Sequence, residues 1–481
     1  MNPTIALAPA QSETRLSQAW LLLIIAHIPL ALLLSAVTPL ATLHAWATLG
    51  LGLYWALQRQ SEKVTLATAY LIGAEVLWRA TGAAVNWEFG KYALVLIFAV
   101  AILRSRKGSP PAVPFFYFAL LVPGALMMIM SHPFDYARPR VSANISGPMA
   151  LFLASWFFVR CVRLDRRLFV RIGLLWVAAT LSLAVLGAQG LSAALGQGFE
   201  FVTASNDVAG GWTGANQSAA VFGLGAVACV FVLALGNLSR PGKGIVGLVL
   251  AFLVVQNALT FSRTGLALTL IGALAFGFFL IRESRYRLTL LFSVIILAVL
   301  VQTVMVPALN SLTGGTFVER YTDTDLTQRD TIMLLDLEIW WDHVFFGVGA
   351  GGAPNVRERY GYRDAAAHTE YTRLLAEHGM LGMGSLILFL VMCAQPIFRA
   401  RTPEEKGVVL ALVFWASAFM IVSSFRLSIP AFLIGLSWAQ FAFHSTVAPL
   451  TDRGHALIKP GRLPAARPQR PPYGLPGYPA S

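Results

Sequence analysis

Long runs of apolar residues are the feature that most restricts how this chain can fold. The sequence is 57% hydrophobic and only 12% charged over 481 residues, whereas soluble proteins carry about 25% charged residues. A membrane helix needs about 20 residues, and fourteen runs read as candidate spans. They cover residues 18–37, 39–57, 64–82, 91–103, 113–130, 148–163, 168–187, 217–236, 244–261, 265–281, 288–306, 380–397, 407–423 and 427–443. We therefore predict an all-α polytopic membrane protein and exclude a soluble domain or a disordered chain.

The distribution of basic residues predicts how these spans are oriented. Cytoplasmic loops of membrane proteins carry an excess of Lys and Arg. With the N-terminus inside, the inner segments hold 24 of the 36 basic residues and seven of the 23 acidic residues, which makes them +17. The rest of the chain is then −4. The net charge of +13 therefore encodes orientation rather than a nucleic-acid partner, and both termini are expected in the cytoplasm.

Three regions follow from this reading. Residues 1–17 are expected to form a cytoplasmic N-terminus, and residues 18–443 the transmembrane domain. The first apolar run is interpreted as a retained helix, because a single Arg precedes it and no clear cleavage site follows it. Residues 444–481 are rich in Pro, Gly and Arg and are expected to be a disordered cytoplasmic tail. The three cysteines show neither a disulfide framework nor a metal-ligand spacing.

The longest connection, residues 307–378, is predicted to be a small folded subdomain on the outer side of the membrane. Its 72 residues contain 11 acidic and 6 basic side chains, and loops of this length are usually functional. Thr327 and Asp330 resemble a capping box for a helix that runs to about Phe346. Arg329 then lies in the first turn, where the helix dipole disfavours a cation by ~0.3–1 kcal/mol. An anionic partner for Arg329 is one interpretation, and a solvated surface arginine is the other.

A second helix in this connection is predicted over residues 364–379, ending at its glycine. His368 lies near the start of that helix, where the dipole favours a neutral imidazole that can accept a proton. A structural histidine is the alternative. Glu370, Arg373 and Glu377 share one helix face, and a solvated ion-pair stripe is the simplest interpretation of their spacing.

Several charged residues lie close to the membrane boundary. Arg263 and Arg426 occupy short outer turns between spans, where a cation is costly unless it is paired or reaches water. Arginine binds phosphate oxygens in a bidentate manner, which suits an anionic ligand on this side. Glu75 and Arg79 are four residues apart within the third span and are expected to form a structural pair. Asn216 ends a glycine-rich outer loop.

Taken in order, these segments resemble the O-antigen ligase and O-antigen polymerase superfamily of bacterial glycan transferases. The resemblance is carried by Phe-Ser-Arg-Thr-Gly at 261–265, by Arg329 at a helix start, by residues 340–349 and by His-Thr-Glu-Tyr-Thr-Arg at 368–373. It is strongest over residues 215–395. It implies an architecture like that of C-type membrane glycosyltransferases, with a large periplasmic loop.

The resemblance implies a glycosyltransferase on the periplasmic face of the bacterial inner membrane. The donor would be a glycan on undecaprenyl diphosphate, and the acceptor a sugar hydroxyl on lipid A-core, on another lipid-linked glycan or on a protein. Neither a metal nor another cofactor is implied. By carry-over, Arg263 and Arg329 would contact the diphosphate, and His368 would hold it or deprotonate the acceptor, with Glu370 as a second candidate base. Direct displacement would invert the anomeric carbon. Additional site candidates are Arg373, Arg426 and Asn216.

Two alternatives stay open at this point. Ligase and polymerase differ only in the acceptor, which the sequence does not reveal. A lipid-linked oligosaccharide flippase or another polysaccharide transporter is the alternative from a different class, since flippases can also have fourteen spans. A transporter of this kind should carry charges within its spans and show repeat symmetry. Charge inside the predicted spans is sparse, with Glu75 and Arg79 as the pair away from the span ends, which favours the enzyme.

Overall fold

The computed structural model describes residues 18–105, 108–323, 329–362 and 369–443. Helices account for nearly all the regular structure in these ranges. In chain order they are α1 (Gln18–Ala36), α2 (Thr38–Leu57), α3 (Ser61–Ala80), α4 (Phe89–Ser105), α5 (Ala112–Ala119), α6 (Val122–Ser131), α7 (Phe134–Cys161), α8 (Arg166–Gly196), α9 (Ala215–Leu235), α10 (Arg240–Leu259), α11 (Arg263–Leu280), α12 (Ser284–Leu300), α13 (Val306–Leu312), α14 (Thr316–Thr322), α15 (Arg329–Asp342), α16 (Ala353–Glu358), α17 (Glu370–Arg399), α18 (Pro403–Val422) and α19 (Ile429–Ser437). Two short strands, β1 (Arg163–Leu164) and β2 (Gln440–Phe441), pair in parallel.

Within the described ranges, ten helical segments are long and apolar enough to cross a membrane, which confirms a polytopic helical membrane protein. These ten segments coincide with ten of the fourteen predicted spans, and the other four fall on α2, α3, α4 and α19. Helix α19 has nine residues and is therefore only about 13 Å long, since each residue adds about 1.5 Å. All nine are buried, so this short helix is surrounded by protein. The count of fourteen crossings stays a prediction.

The helices pack closely because small residues stand at their contacts. Gly225 of α9 has no room for a Cβ atom beside Thr180 of α8, and Gly435 of α19 has none beside Ala154 of α7. Small residues at such positions let membrane helices approach each other. The result is a continuous core in which α8, α9 and α19 are almost entirely buried.

The first helix predicted in the long connection ends earlier than expected. It begins at Arg329 and ends at Asp342, whereas the prediction extended it to about Phe346, and its predicted N-cap, Thr327, lies outside the described residues. The chain leaves the helix because its next segment bonds to α17. The amide of Val348 donates to the carbonyl of Ala376 over 3.0 Å.

The second predicted helix is α17, which begins at Glu370 with Thr369 as its N-cap. The predicted stop at Gly379 is confirmed, because this glycine has φ 59° and ψ −134° and interrupts the helix. The chain then continues as a helix to Arg399. Residues 363–368, including His368, lie outside the described residues.

A buried ion pair joins the short helices of the long connection to α17. Arg357 of α16 donates from Nε to Asp336 Oδ1 of α15 over 2.8 Å, and Thr372 of α17 donates to Asp336 Oδ2 over 2.9 Å. Arg357 and Asp336 are both fully buried. Breaking such a pair by removing one partner is strongly destabilising, so this pair ties α15, α16 and α17 together.

Candidate functional site

The turn of residues 424–428 joins α18 to α19, and buried charges of α3 hold its backbone. Glu75 Oε2 accepts hydrogen bonds from the amide and the hydroxyl of Ser428, over 2.8 and 2.6 Å. Arg79 donates to the carbonyl of Arg426 over 3.2 Å and pairs with Glu75 over 2.5 Å. The predicted pairing of Glu75 with Arg79 is therefore confirmed, and both charges also fix the backbone of this turn.

Two further charged residues bind the same turn from other helices. Lys91 of α4 is only 1% exposed and donates from Nζ to the carbonyl of Phe425 over 2.6 Å, while also pairing with Glu88. Glu370 of α17 accepts from the amide of Phe425 over 3.4 Å. Because buried charges need both opposite charge and hydrogen bonds, charged side chains from α3, α4 and α17 hold this turn in one conformation.

The side chain of Arg426 projects from this fixed turn. It is half-buried, and burial lowers the pKa of its guanidinium. Within the part of the chain that the structure describes, no hydrogen bond, ion pair or ring contact involves this guanidinium. A guanidinium offers five N–H donors in a planar fork. The turn therefore presents a cation with unused donors.

The charges on α17 are buried, and the prediction of a solvated stripe is wrong. Glu370, Arg373 and Glu377 are 0%, 6% and 2% exposed. Arg373 donates to Glu370 Oε2 and to Glu377 Oε2, each over 2.9 Å, and Asn144 of α7 donates to Glu377. The spacing correctly placed the three charges on one face. That face packs against α7 and the 424–428 turn instead of facing water.

Arg263 begins α11 at a tight turn that follows α10. Phe261 has a φ of 54° and is fully buried, so the turn is held by packing of its ring. Ser262 donates from Oγ to Asn216 Oδ1 of α9 over 2.7 Å. The half-buried guanidinium of Arg263 donates to the carbonyl of Asp323. Arg263 is thereby placed next to the first turn of α9.

The first turn of α9 connects Arg263 with the 424–428 turn. Asn216 accepts from Ser262, and the next residue, Gln217, accepts from Arg79 Nη1 over 2.6 Å. Arg79 in turn bonds to the carbonyl of Arg426. The structure thus brings five predicted site residues into one region at helix ends: Arg263, Asn216, Glu370, Arg373 and Arg426.

Two predicted site residues are placed only in part. Arg329 begins α15, as expected for a first-turn residue, and only its backbone is described. His368 lies outside the described residues. The residue after it, Thr369, is buried and accepts from the amide of Tyr371 over 3.2 Å. Glu370 follows directly, so the chain enters the region described above immediately after position 368.

Sequence reasoning missed three contributors to this region: Lys91, Asn144 and Gln217. Lys91 had a usable signal, since it is a lysine at the outer end of a predicted span, where the positive-inside bias disfavours cations. The two amide side chains could not be recognised from the sequence. Asn144 bonds to Glu377, which is 233 positions away, and Gln217 bonds to Arg79, which is 138 positions away.

The positively charged side chains determine which class of ligand this region can bind. The carboxylates of Glu75, Glu370 and Glu377 all accept from arginine donors, so none of these three is left to pair with Arg426, which has no carboxylate partner among the described residues. Arginines pair well with phosphate oxygens. Among the described residues, no group of three or more His, Cys, Asp or Glu side chains is placed to hold a metal ion. The arrangement suits an anionic ligand at one end of the helix bundle.

These features define a multi-pass helical membrane protein with a buried charge network at one end. Residues 246–389, from α10 into α17, match the model of the O-antigen ligase family. The match confirms, over this part of the chain, the resemblance seen in the sequence. It includes Arg263, Arg329, His368, Glu370 and Arg373, whereas Asn216 and Arg426 lie outside it. Comparison with curated protein sequences and with solved structures gives no match.

Proposed function

We propose that this protein transfers a lipid-diphosphate-linked glycan to a sugar hydroxyl on the periplasmic face of the bacterial inner membrane. It would act as an O-antigen ligase or as a surface or exopolysaccharide polymerase. The observation that carries the proposal is the Arg426 guanidinium, which has no partner within the described part of the chain. Buried charges hold its turn beside the family-matched segment that contains Arg263. The distribution of basic residues supports cytoplasmic termini and a periplasmic site.

Donor binding is the role that we assign to the arginines. The donor, a glycan on undecaprenyl diphosphate, carries its negative charge on the diphosphate, which becomes the leaving group. Arg263 and Arg426 flank the first turn of α9, and Arg329 opens α15. Cations fixed before the reaction stabilise charge that develops in the transition state. Fixing the 424–428 turn with buried charges supplies this preorganisation for Arg426.

The reaction that we propose is a direct displacement without a metal ion. The acceptor hydroxyl oxygen forms a bond to the anomeric carbon, the bond from that carbon to the diphosphate oxygen breaks, and undecaprenyl diphosphate leaves. His368 takes the hydroxyl proton as general base, and the configuration inverts. We assign Glu370, the second candidate base, a positioning role, because its oxygens accept from Arg373 and from the amide of Phe425.

Reconstitution tests this proposal directly. The purified protein in liposomes receives a synthetic undecaprenyl-diphosphate glycan and an acceptor, either lipid A-core or a second lipid-linked glycan. We expect release of undecaprenyl diphosphate together with a larger or transferred glycan. The acceptor that supports turnover separates ligase from polymerase. Movement of intact donor across the bilayer without any product would identify a flippase and contradict the proposal.

A further inference from the structure

A cavity of about 400 Å³ lies at the end of the bundle opposite the 424–428 turn. It forms where the ends of α7, α17 and α19 meet the pair of short strands β1 and β2. Its polar lining comes from Arg163, Arg399, Arg401 and Gln440, and its largest apolar ring is that of Trp438. We call this cavity the arginine pocket.

No acidic side chain among the described residues lines the arginine pocket. Two carboxylates at the start of the neighbouring helix α18 have other partners. Glu405 Oε2 accepts from the amides of Arg401 and Thr402, over 2.9 and 3.2 Å, and Glu404 Oε1 accepts from the Tyr286 hydroxyl over 2.6 Å. Among the described residues, the guanidinium groups of Arg399 and Arg401 therefore have no carboxylate partner.

Arg399 is held by stacking, which leaves most of its donors available. Its guanidinium carbon lies 4.8 Å from the centre of the Trp438 ring. That ring is only 4% exposed, and its Nε1 donates to the carbonyl of Met392 over 3.1 Å. One Arg399 donor is used by Gln395 Oε1, over 3.2 Å. Stacking orients a guanidinium plane while its N–H edge stays free to bind an anion.

A second cavity, of about 430 Å³, lies on the other side of the same stacked pair. It shares Val159, Arg399 and Trp438 with the arginine pocket, while Ala112 and Val113 at the start of α5 add apolar surface and Arg160 adds a further guanidinium. Guanidinium groups next to apolar walls match a molecule with a phosphate group and a hydrocarbon part. Basic pockets between membrane helices on the cytoplasmic side bind lipid headgroups in this way.

We propose that the arginine pocket binds a phosphate ester, through Arg399 and Arg401 as principal contacts. A phospholipid headgroup and a small soluble phosphate ester share this chemistry and are the two possible sources. The site is separate from the proposed donor site, since α17 runs between them from Glu370 to Arg399. It stands independently of the proposed glycan transfer.

The test compares paired variants of the full-length protein. Arg399→Gln/Arg401→Gln removes two charges from the pocket, and Arg282→Gln/Arg287→Gln removes one from the turn before α12 and one from the first turn of α12. Native mass spectrometry measures retained phosphatidylglycerol against phosphatidylcholine, and equilibrium dialysis measures binding of soluble glycerol phosphate. We expect the pocket variant to weaken phosphatidylglycerol binding roughly 10- to 30-fold, from about 1 kcal/mol for each arginine, and the control to change it little.

The outcomes separate the sources. Loss of phosphatidylglycerol binding alone identifies a lipid headgroup, and loss of glycerol phosphate binding alone identifies a soluble ester. Equal losses in the pocket and control variants, or no loss in either, would overturn the proposal. If the Arg399→Gln/Arg401→Gln variant folds poorly, Arg401→Gln alone is tested in its place. This side chain is exposed, so its replacement leaves the stacked pair of Arg399 and Trp438 undisturbed.

Discussion

Lys91 Nζ lies 2.6 Å from the carbonyl oxygen of Phe425, so a buried lysine of α4 is bonded to the backbone of the turn that carries Arg426. The contact joins residues 334 positions apart. Lysine is rarely buried unless it is paired, and here Glu88 supplies the opposite charge. Lys91 itself is only 1% exposed and therefore contributes almost nothing to a surface that a ligand would touch. Its position suggests that it acts by orienting Arg426.

Replacing Lys91 with Met should impair glycan transfer although the side chain is buried. The carbonyl of Phe425 would lose its partner, and Glu88 would be left as a buried carboxylate without its ion pair, which is destabilising by about 3–5 kcal/mol. Transfer in the reconstituted assay and thermal unfolding in detergent check this expectation. Lys243→Met, at an exposed position of α10, is the matched control and should leave both unchanged. Unaltered transfer by the Lys91 variant would contradict the positioning role.

The loss of stability in the Lys91→Met variant should depend on pH. Burial raises the pKa of Glu88, and the charge of Lys91 partly offsets this effect. Without Lys91 the pKa rises further, so the folded variant takes up a proton as the pH falls, before the unfolded chain does near its ordinary pKa of about 4.3. Proton uptake by the folded state stabilises it. The difference in melting temperature between wild type and variant should therefore shrink from pH 8 to pH 5, and a constant difference would contradict this account.

Arg426→Ala should weaken donor use more than folding. Hydrogen bonds to charged groups contribute about 1.5–3 kcal/mol, so the loss of this guanidinium should lower kcat/KM for the lipid-linked donor by roughly 10- to 100-fold. Arg426→Lys keeps the charge without the planar fork and should recover only part of the rate. Arg138→Ala, an exposed arginine on α7, is the control. Equal activity of Arg426→Ala and the control would remove Arg426 from the site.

The membrane architecture and several site candidates could be predicted from the sequence, because hydropathy and charge are local properties. Arg263 and Arg426 stood out because arginine is unfavourable at short turns near hydrocarbon. What covers a helix face is not a local property. Glu370, Arg373 and Glu377 have a spacing that fits a solvated stripe and a buried network equally well. Only packing against α7 and the 424–428 turn distinguishes the two.

The positions at which helices end show the same limit of prediction from sequence, because contacts with distant parts of the chain also determine them. The periodicity past Asp342 is compatible with a longer α15, but the amides of Val348 and Gly349 bond to carbonyls of α17 and draw the chain away. Gly379, by contrast, could be predicted as an interruption, because glycine is the residue that adopts a positive φ without strain. Local backbone preferences could be predicted from the sequence, whereas the hydrogen bonds to a helix distant in the sequence could not.

His368 and Glu370 can be separated kinetically. As general base, His368 should act mainly on kcat, so His368→Ala should lower kcat while the KM for the donor changes little. Glu370→Gln leaves Arg373 with a weaker partner and should raise the donor KM and lower thermal stability, because the 424–428 turn loosens. Steady-state kinetics with each variant, supported by melting curves, distinguish the roles. A Glu370→Gln protein with normal stability, normal KM and abolished kcat would make Glu370 the base.

The buried pair of Arg357 and Asp336 should matter for stability rather than for chemistry. Arg357→Met leaves Asp336 buried with Thr372 as its remaining partner, which should lower the free energy of unfolding by about 3–5 kcal/mol. Arg359→Met, at an exposed position two residues away, should change it by less than about 0.5 kcal/mol. Replacing both members, as Arg357→Met/Asp336→Leu, removes the unpaired charge and should restore much of the loss. Thermal unfolding of the three proteins measures this, and a double variant no more stable than Arg357→Met would show that the pair is not the cause.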